Sequence, residues 1–319
     1  MIKLLVTGGC GFIGSHFIEE LLKMSGVALV LNIDKLTYAA NKSLALSNLN
    51  EKRYIHYAID INDTSIVSIL KANSITHVVH FAAESHVDNS IKDASEFIKT
   101  NICGTYNLIN SCKDHLDLVR FIHVSTDEVF GSLGFEDEPF SILSPYRPNS
   151  PYAASKAASD LLVRSYSRTH KLPAVITNCS NNFGPRQFGE KLIPLLISKL
   201  KEGKQIPIYG DGKNIRDWIY VKDHVSALAS ILLKNSVSDQ YLIGGDMEIS
   251  NIDLAKLLVG EYERLSGDRV RSDYLSFIED RKGHDLRYSI NNHLFKADFP
   301  DFKISNFNDS IEATVRSYL

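Results

Sequence analysis

The feature that most constrains this chain is a repeated change of hydrophobic period along its first half. Short apolar runs, "IKLLV" (2–6), "VALVLNI" (27–33), "YIHYAI" (54–59), "THVVHF" (76–81), "VRFIHV" (119–124) and "AVITN" (174–178), alternate with helix-compatible segments near 12–24, 62–72, 92–114 and 152–170. A strand covered on both faces has no polar side, so near-continuous apolar strands separated by helices predict a parallel sheet with helices above and below. Right-handed crossovers then give a doubly wound α/β fold. At 319 residues the chain can build one large domain or two modest ones, with a core that needs neither disulfides nor metals.

From about residue 179 the texture changes. Pro and Gly become frequent in "NNFGPRQFGEKLIP" and "IPIYGDGKN", and the regular alternation is lost. This predicts a smaller α/β substrate-binding domain over the C-terminal edge of the sheet, where such folds bind ligands. "DWIYVKDHVSALASILL" (217–233) reads as a short strand and a helix returning to the large domain. The expected division is interleaved: 1–178 plus about 217–234 for the large domain, 179–216 plus about 235–319 for the smaller one.

Charge and composition narrow the function classes. Lys+Arg of 35 against Asp+Glu of 38 leaves a net charge of −3 and no broad basic face for nucleic acid. No apolar run approaches the roughly 20 residues of a membrane span, and "MIKLLVTGG" passes straight into a strand-turn pattern rather than a signal peptide. Cys10, Cys103, Cys112 and Cys179 are scattered, with no C-x-x-C pair, which predicts reduced thiols and a cytoplasmic protein. The 11 histidines form no ligand-spaced cluster, so no metal is expected.

"LLVTGGCGFIGSHFIEELL" follows the first strand and opens a helix, with Gly8, Gly11 and Gly14 at intervals of three. That spacing lets the backbone turn tightly beside a pyrophosphate, which the free N–H groups of the helix start can bind. Asp34 ends the second strand, where a carboxylate accepts from both ribose hydroxyls and repels a 2′-phosphate. The combination predicts a Rossmann site for NAD rather than NADP. Asp60, closing the third strand, fits either a contact to the adenine amino group or a plain turn.

"PYAASKAASDLLVRSY" (151–166) places Tyr152 and Lys156 four apart, on one face of a helix. A free phenol has a pKa of roughly 10, and a neighbouring ammonium is expected to lower it toward a useful base. Further back, "HVSTDEVFG" (123–131) sets Asp127 and Glu128 side by side after a strand. Charge there costs desolvation energy unless the chemistry needs it. Oxidation of an alcohol needs one base, whereas oxidation followed by elimination of water needs an additional acid and an additional base.

TGGCGFIG, YAASK and Thr126 resemble the extended short-chain dehydrogenase/reductase family, whose members act on nucleotide sugars, and the resemblance runs along nearly the whole chain. Within it, "STDEVFG" is similar to the signature of the dTDP-glucose 4,6-dehydratases; the 4-epimerases of the same family carry small or neutral residues after the hydroxyl. The resemblance implies that Thr126 and Tyr152 hold the sugar C4 oxygen beside Lys156, with Asp127 as acid at C6 and Glu128 as base at C5. It implies cofactor contacts from Phe12, Ile13, Lys35, Thr37, Asp60, Ile61, Ala82, Ala83, Ser85, Thr100 and Asn182. It also implies substrate contacts from Glu84, His86, Asn181, Glu190, Lys191, Leu192, Tyr209, Arg216, Asn251, Arg281, His284 and Tyr288. Arg216 is the best candidate for gripping the diphosphate, because a planar guanidinium offers paired donors. The implied assembly is a homodimer pairing segments 92–114 and 152–170.

The chain departs from the family pattern at Cys10 in the glycine loop, at Phe130 and Phe183 where Tyr is common, and at Lys282 and Leu286. The last two bear on nucleotide recognition. A UDP-glucose 4,6-dehydratase and a 4-epimerase are the enzymatic alternatives. A cofactor-binding scaffold without catalysis is the alternative of another class, opposed by the retained Tyr152, Lys156 and acid pair.

Overall fold

A computed structural model describes residues 1–42 and 51–319. Strands β1 (Ile2–Thr7), β2 (Val27–Ile33), β3 (Tyr54–Tyr57), β4 (His77–His80), β5 (Arg120–Thr126) and β6 (Ala174–Cys179) fall on the predicted apolar runs. A seventh, β10 (Gln240–Ile243), joins them in a parallel sheet of order β10-β6-β5-β4-β1-β2-β3. The alternation of side chains is visible in the core. On β1, Leu4 and Val6 face one layer of helices while Leu5 faces the other, all three fully buried. On β5, Ile122 and Phe121 divide in the same way.

Strand order reverses between β1 and β4, which opens a crevice at their C-terminal ends. The register makes this edge stepped. His80, the last residue of β4, pairs with His123, whereas β5 runs on through Val124, Ser125 and Thr126, the last paired with Cys179 of β6. The end of β5 therefore overhangs the crevice.

The smaller elements lie above that edge. β7 (Asn181–Phe183), β9 (Ile215–Tyr220) and β11 (Glu248–Ser250) form a three-stranded sheet, and β8 (Ile206–Tyr209) pairs with β12 (Leu275–Ile278). The expected strand and helix within 217–233 are β9 and Val221–Leu233, the helix packing beside Phe12–Leu22 in one core layer. β10 lies in the stretch expected to belong wholly to the smaller domain, yet it is an edge strand of the large sheet. Its four residues are buried, a short strand hidden among loops whose pattern does not announce its partner.

The helix predicted over 92–114 is Ser95–Phe97, π-helical turns Ile98–Gly104, then Thr105–Cys112. Among the described residues, no helix is long and apolar enough to cross a membrane.

Candidate active site

The glycine loop is built by contacts that exclude side chains. Gly8 has φ +71°, and a Cβ there would lie 2.6 Å from the Ala82 nitrogen. A Cβ on Gly14 would lie 2.4 Å from the Gly8 carbonyl oxygen, so the helix Phe12–Leu22 starts directly against the strand-end turn. Its N-cap Gly11 supplies no side-chain cap, leaving the first N–H groups available to an anion. Asp34 accepts from the Cys10 nitrogen at 2.9 Å and the Leu36 nitrogen at 2.8 Å, which fixes its carboxylate at the cavity wall. The residues present thus fit a dinucleotide.

Phe12, Ile13, Lys35, Thr37, Ile61, Ala82, Ala83, Glu84, Ser85 and Thr100 line the same cavity, together with Asn181 and Asn182. Asp60 does not. It caps its own turn through the Asn62 nitrogen at 2.9 Å and lies 3.3 Å from Lys35 Nζ, which in turn reaches Thr100 Oγ1 at 3.4 Å. The local turn expected at this position is present. Cys10 is buried, its thiol pushed up to about 12 by desolvation and then by the Asp34 carboxylate. It is a packing residue rather than a reactive thiol.

Thr126, Asp127, Glu128, Tyr152 and Lys156 converge on this cavity. Thr126 caps the 3-10 turn Asp127–Phe130, its Oγ1 accepting from the Glu128 nitrogen at 3.3 Å and donating to Asp127 Oδ1 at 3.2 Å. Asp127 is 1% exposed and its Oδ2 has no partner. Burial first, then the Glu128 carboxylate, push its pKa well above the ordinary range, with Arg216 acting weakly the other way. These surroundings favour its protonated form. Burial also raises Glu128, but Lys191 and Arg216 oppose the rise. Both carboxyls are thus raised, Asp127 well above its ordinary range, while Lys191, Arg216 and Arg281 restrain the rise at Glu128.

Tyr152 and Lys156 sit on the helix Pro151–His170, started by Pro151 after Ser150, whose Oγ accepts from the Ala153 nitrogen at 3.1 Å. The expected lowering of the Tyr152 pKa by Lys156 is not seen. Lys156 Nζ donates instead to the Val124 carbonyl at 2.9 Å, and burial with the Glu128 carboxylate holds the phenol's proton on.

A second cavity shares Glu128, Asn181, Asn182, Glu190 and Lys191 with the first and extends toward His86, Leu192, Tyr209, Arg216, Asn251, Arg281, His284 and Tyr288. Lys191 Nζ holds the Ser85 carbonyl at 2.8 Å. His86 caps its own helix through the Asn89 nitrogen at 3.2 Å and stands 3.6 Å from Glu190. Burial keeps its ring neutral. Arg216 lies 4.3 Å over the Tyr288 ring and donates to the Asp285 carbonyl at 2.9 Å. Asn251 Oδ1 and Trp218 Nε1 are buried without partners at the cavity wall, which calls for a polar ligand.

Several contributing residues escape the sequence reading. Asp88 pairs with Arg281 at 2.6 Å and accepts from Tyr209 at 3.3 Å, joining the two sides of the second cavity. Asn101, in the π-helical turns, accepts from the Glu84 nitrogen at 2.9 Å and donates to Ser155 Oγ at 2.8 Å, tying the loop to the helix that carries Tyr152 and Lys156. Polar residues in a helix carry no signal for this, and only the π turn marks it. The departures are accommodated. Phe130 stacks on Phe140 at 5.2 Å and Phe183 packs 5.4 Å from Phe307, where hydroxyls would need buried partners. Lys282 is exposed, and Leu286 acts through its backbone, to Ser132 Oγ and the Ile215 nitrogen, each at 2.8 Å.

The profile of the GDP-mannose 4,6 dehydratase family matches residues 5–297. The dTDP-glucose 4,6-dehydratases of Haemophilus influenzae and Neisseria meningitidis serogroup B are 43% and 42% identical over the whole chain, covering 98% and 94% of those proteins. This chain belongs to the dTDP-glucose 4,6-dehydratase family. The solved dTDP-glucose 4,6-dehydratase of Streptomyces venezuelae, with NAD and dTDP bound, superposes with a TM-score of 0.92 at 40% identity, covering 99% of this chain and 97% of that one. A UDP-glucuronic acid 4-epimerase from Bacillus cereus reaches 0.89 at 28% identity, covering 99% of both chains. The dehydratase and the epimerase thus share one fold with this chain.

Proposed function

We propose that this chain is a dTDP-glucose 4,6-dehydratase, converting dTDP-glucose to dTDP-4-keto-6-deoxyglucose by oxidation at C4, loss of water across C5 and C6, and reduction at C6. The observation that carries this reading is the buried pair at the overhang of β5: Asp127 in surroundings that favour its protonated form, Glu128 faced by the cations Lys191, Arg216 and Arg281, both in the cavity that holds Tyr152 and Thr126. A 4-ketone makes the C5 proton acidic, so Glu128 can remove it while Asp127 delivers a proton to the leaving O6. Thr126 and Tyr152 hold the C4 oxygen and manage its proton.

NAD, held by the glycine loop and Asp34, supplies when bound the hydride acceptor at C4, the hydride donor at C6 and a positive charge beside Tyr152. In the second cavity, Arg216 and Lys191 offer cations to the diphosphate, and the orphaned Asn251 oxygen offers an acceptor to the nucleotide. The large domain would comprise 1–178, about 217–234 and the returning β10, with the remainder forming the nucleotide-sugar domain.

Two copies would pair through the helical faces of 95–112 and 151–170, where Ile98, Tyr106 and Leu161 are about half exposed. Four free cysteines support a reducing, cytoplasmic setting. The deciding experiment incubates the protein with dTDP-glucose and separately with UDP-glucose and weighs the products. Loss of one water from the thymidine sugar without net NAD consumption is expected. An unchanged mass with both substrates would reject the dehydratase, and preference for the uridine sugar would reassign the nucleotide.

A further inference from the structure

An ion pair spans the second cavity. Asp88 lies in the first turn of the helix Val87–Lys92, and Arg281 in the loop that follows β12. Arg281 Nε stands 2.6 Å from Asp88 Oδ1, and Nη2 donates to Oδ2 at 3.1 Å. The Tyr209 hydroxyl donates to the same Oδ2 at 3.3 Å, and the Tyr209 ring faces the guanidinium, its centroid 5.0 Å from Cζ. Carboxylate and ring thus hold the guanidinium by one edge and one face. The edge carrying Nη1 stays outside the pair, and Arg281 lines the cavity, where a planar fork suits a phosphate.

The loop is braced on its own side. Asp280 Oδ1 accepts from the Arg281 nitrogen at 2.8 Å and lies 2.6 Å from His284 Nδ1, and the His284 nitrogen donates to the Arg281 carbonyl at 3.2 Å. Those contacts set the backbone at Arg281 but not its long, flexible side chain. Asp88 and Tyr209 order that side chain before a ligand arrives, which removes the ordering cost from binding. Two other carboxylates of the cavity are engaged elsewhere: Glu190 stands 3.6 Å from His86, and Asp285 accepts from Asn149 and Tyr288. An unpaired carboxylate here would repel an anion. The Arg281 charge offsets that of Asp88, and Lys191 and Arg216 line the same cavity.

We propose that Asp88 is a positioning residue for substrate, aiming Arg281 from the opposite wall at the diphosphate of the nucleotide sugar. The inference deepens the nucleotide-sugar reading of this cavity and rests on it for the identity of the anion. It concerns binding, so it is read without turnover.

The test titrates dTDP, and separately UDP, into the NAD-loaded protein by calorimetry, and the nucleotide that binds the wild type more tightly becomes the probe. In Asp88→Asn its Kd is expected to rise roughly tenfold. KM for the sugar nucleotide should rise with it, and kcat should change far less. In an Arg281→Met background the same substitution should leave Kd level or lower it, because the carboxylate then has nothing to aim and only repels. An unchanged or lower Kd in Asp88→Asn alone overturns the proposal, as does an equal rise in both backgrounds or a wild type that binds neither nucleotide. A wild type that binds dTDP yet releases no water would instead reject the dehydratase, and the titrations would still decide the role of Asp88. Should Asp88→Asn not fold, the wild type labelled with [guanidino-15N]arginine decides. The Arg281 signals, assigned by their disappearance in Arg281→Met, should show hindered rotation of the guanidinium in the nucleotide-free, NAD-loaded protein, and free averaging overturns the proposal.

Discussion

At the scale of single residues, the acid pair trades stability for chemistry. Folding raises the Asp127 pKa, so the native state binds that proton more tightly than the unfolded chain does. The residue is harmless below the ordinary carboxyl value of 3.8 and increasingly destabilising as pH rises through and above it. Asp127→Asn should therefore stabilise the fold by about 1–3 kcal/mol near neutrality and by little in acid, while abolishing most turnover. Urea midpoints at both pH values check this, and an equal gain at both would contradict it. Glu128→Gln should still oxidise C4 but slow the loss of water by roughly 10²–10⁴-fold, so that reduced cofactor accumulates in a stopped-flow trace. Wild-type water release from that variant would remove Glu128 from the role of C5 base. The pairing of these residues is readable in "STDEVFG", and the difference in their electrostatic surroundings is not. That depends on Lys191 and Arg216, which the chain brings from more than sixty residues away.

At the scale of elements, the strand-turn-helix unit at the N-terminus is the most sequence-legible piece, because its requirement is local: three glycines where backbone must touch backbone. Gly14→Ala places a methyl 2.4 Å from the Gly8 oxygen and 2.9 Å from the Gly9 Cα, neither of which is a movable side-chain end. A destabilisation of about 1–3 kcal/mol and weaker NAD binding should appear together, in thermal melts and in titrations of bound cofactor. Unchanged NAD affinity in a folded variant would show that the loop has room to relax. The 92–114 helix was legible as a helix, but its π turns were not. The extra residue per turn turns Asn101 toward Glu84 and Ser155, a demand set by the neighbouring loop and helix, which leaves no trace in periodicity.

At the scale of the whole molecule, pairing through 95–112 and 151–170 predicts that Leu161→Glu, at a side chain 57% exposed, shifts the sedimentation coefficient from dimer to monomer at micromolar protein. A wild type that sediments as a monomer would dispose of the interface, and a dimeric variant would move it elsewhere. Short-range patterns in the sequence determined the parallel sheet, the glycine loop, the Tyr152–Lys156 spacing and the adjacency of Asp127 to Glu128, because burial on two faces, close backbone approach and helical pitch each act over a few residues. Tertiary structure alone decided that β10 joins the large sheet, that Asp88 closes on Arg281, and that Lys156 points at Val124 rather than at Tyr152. Each of these is a contact between distant segments, selected by which polar group is left unpaired once the core has closed, and no local pattern encodes that remainder.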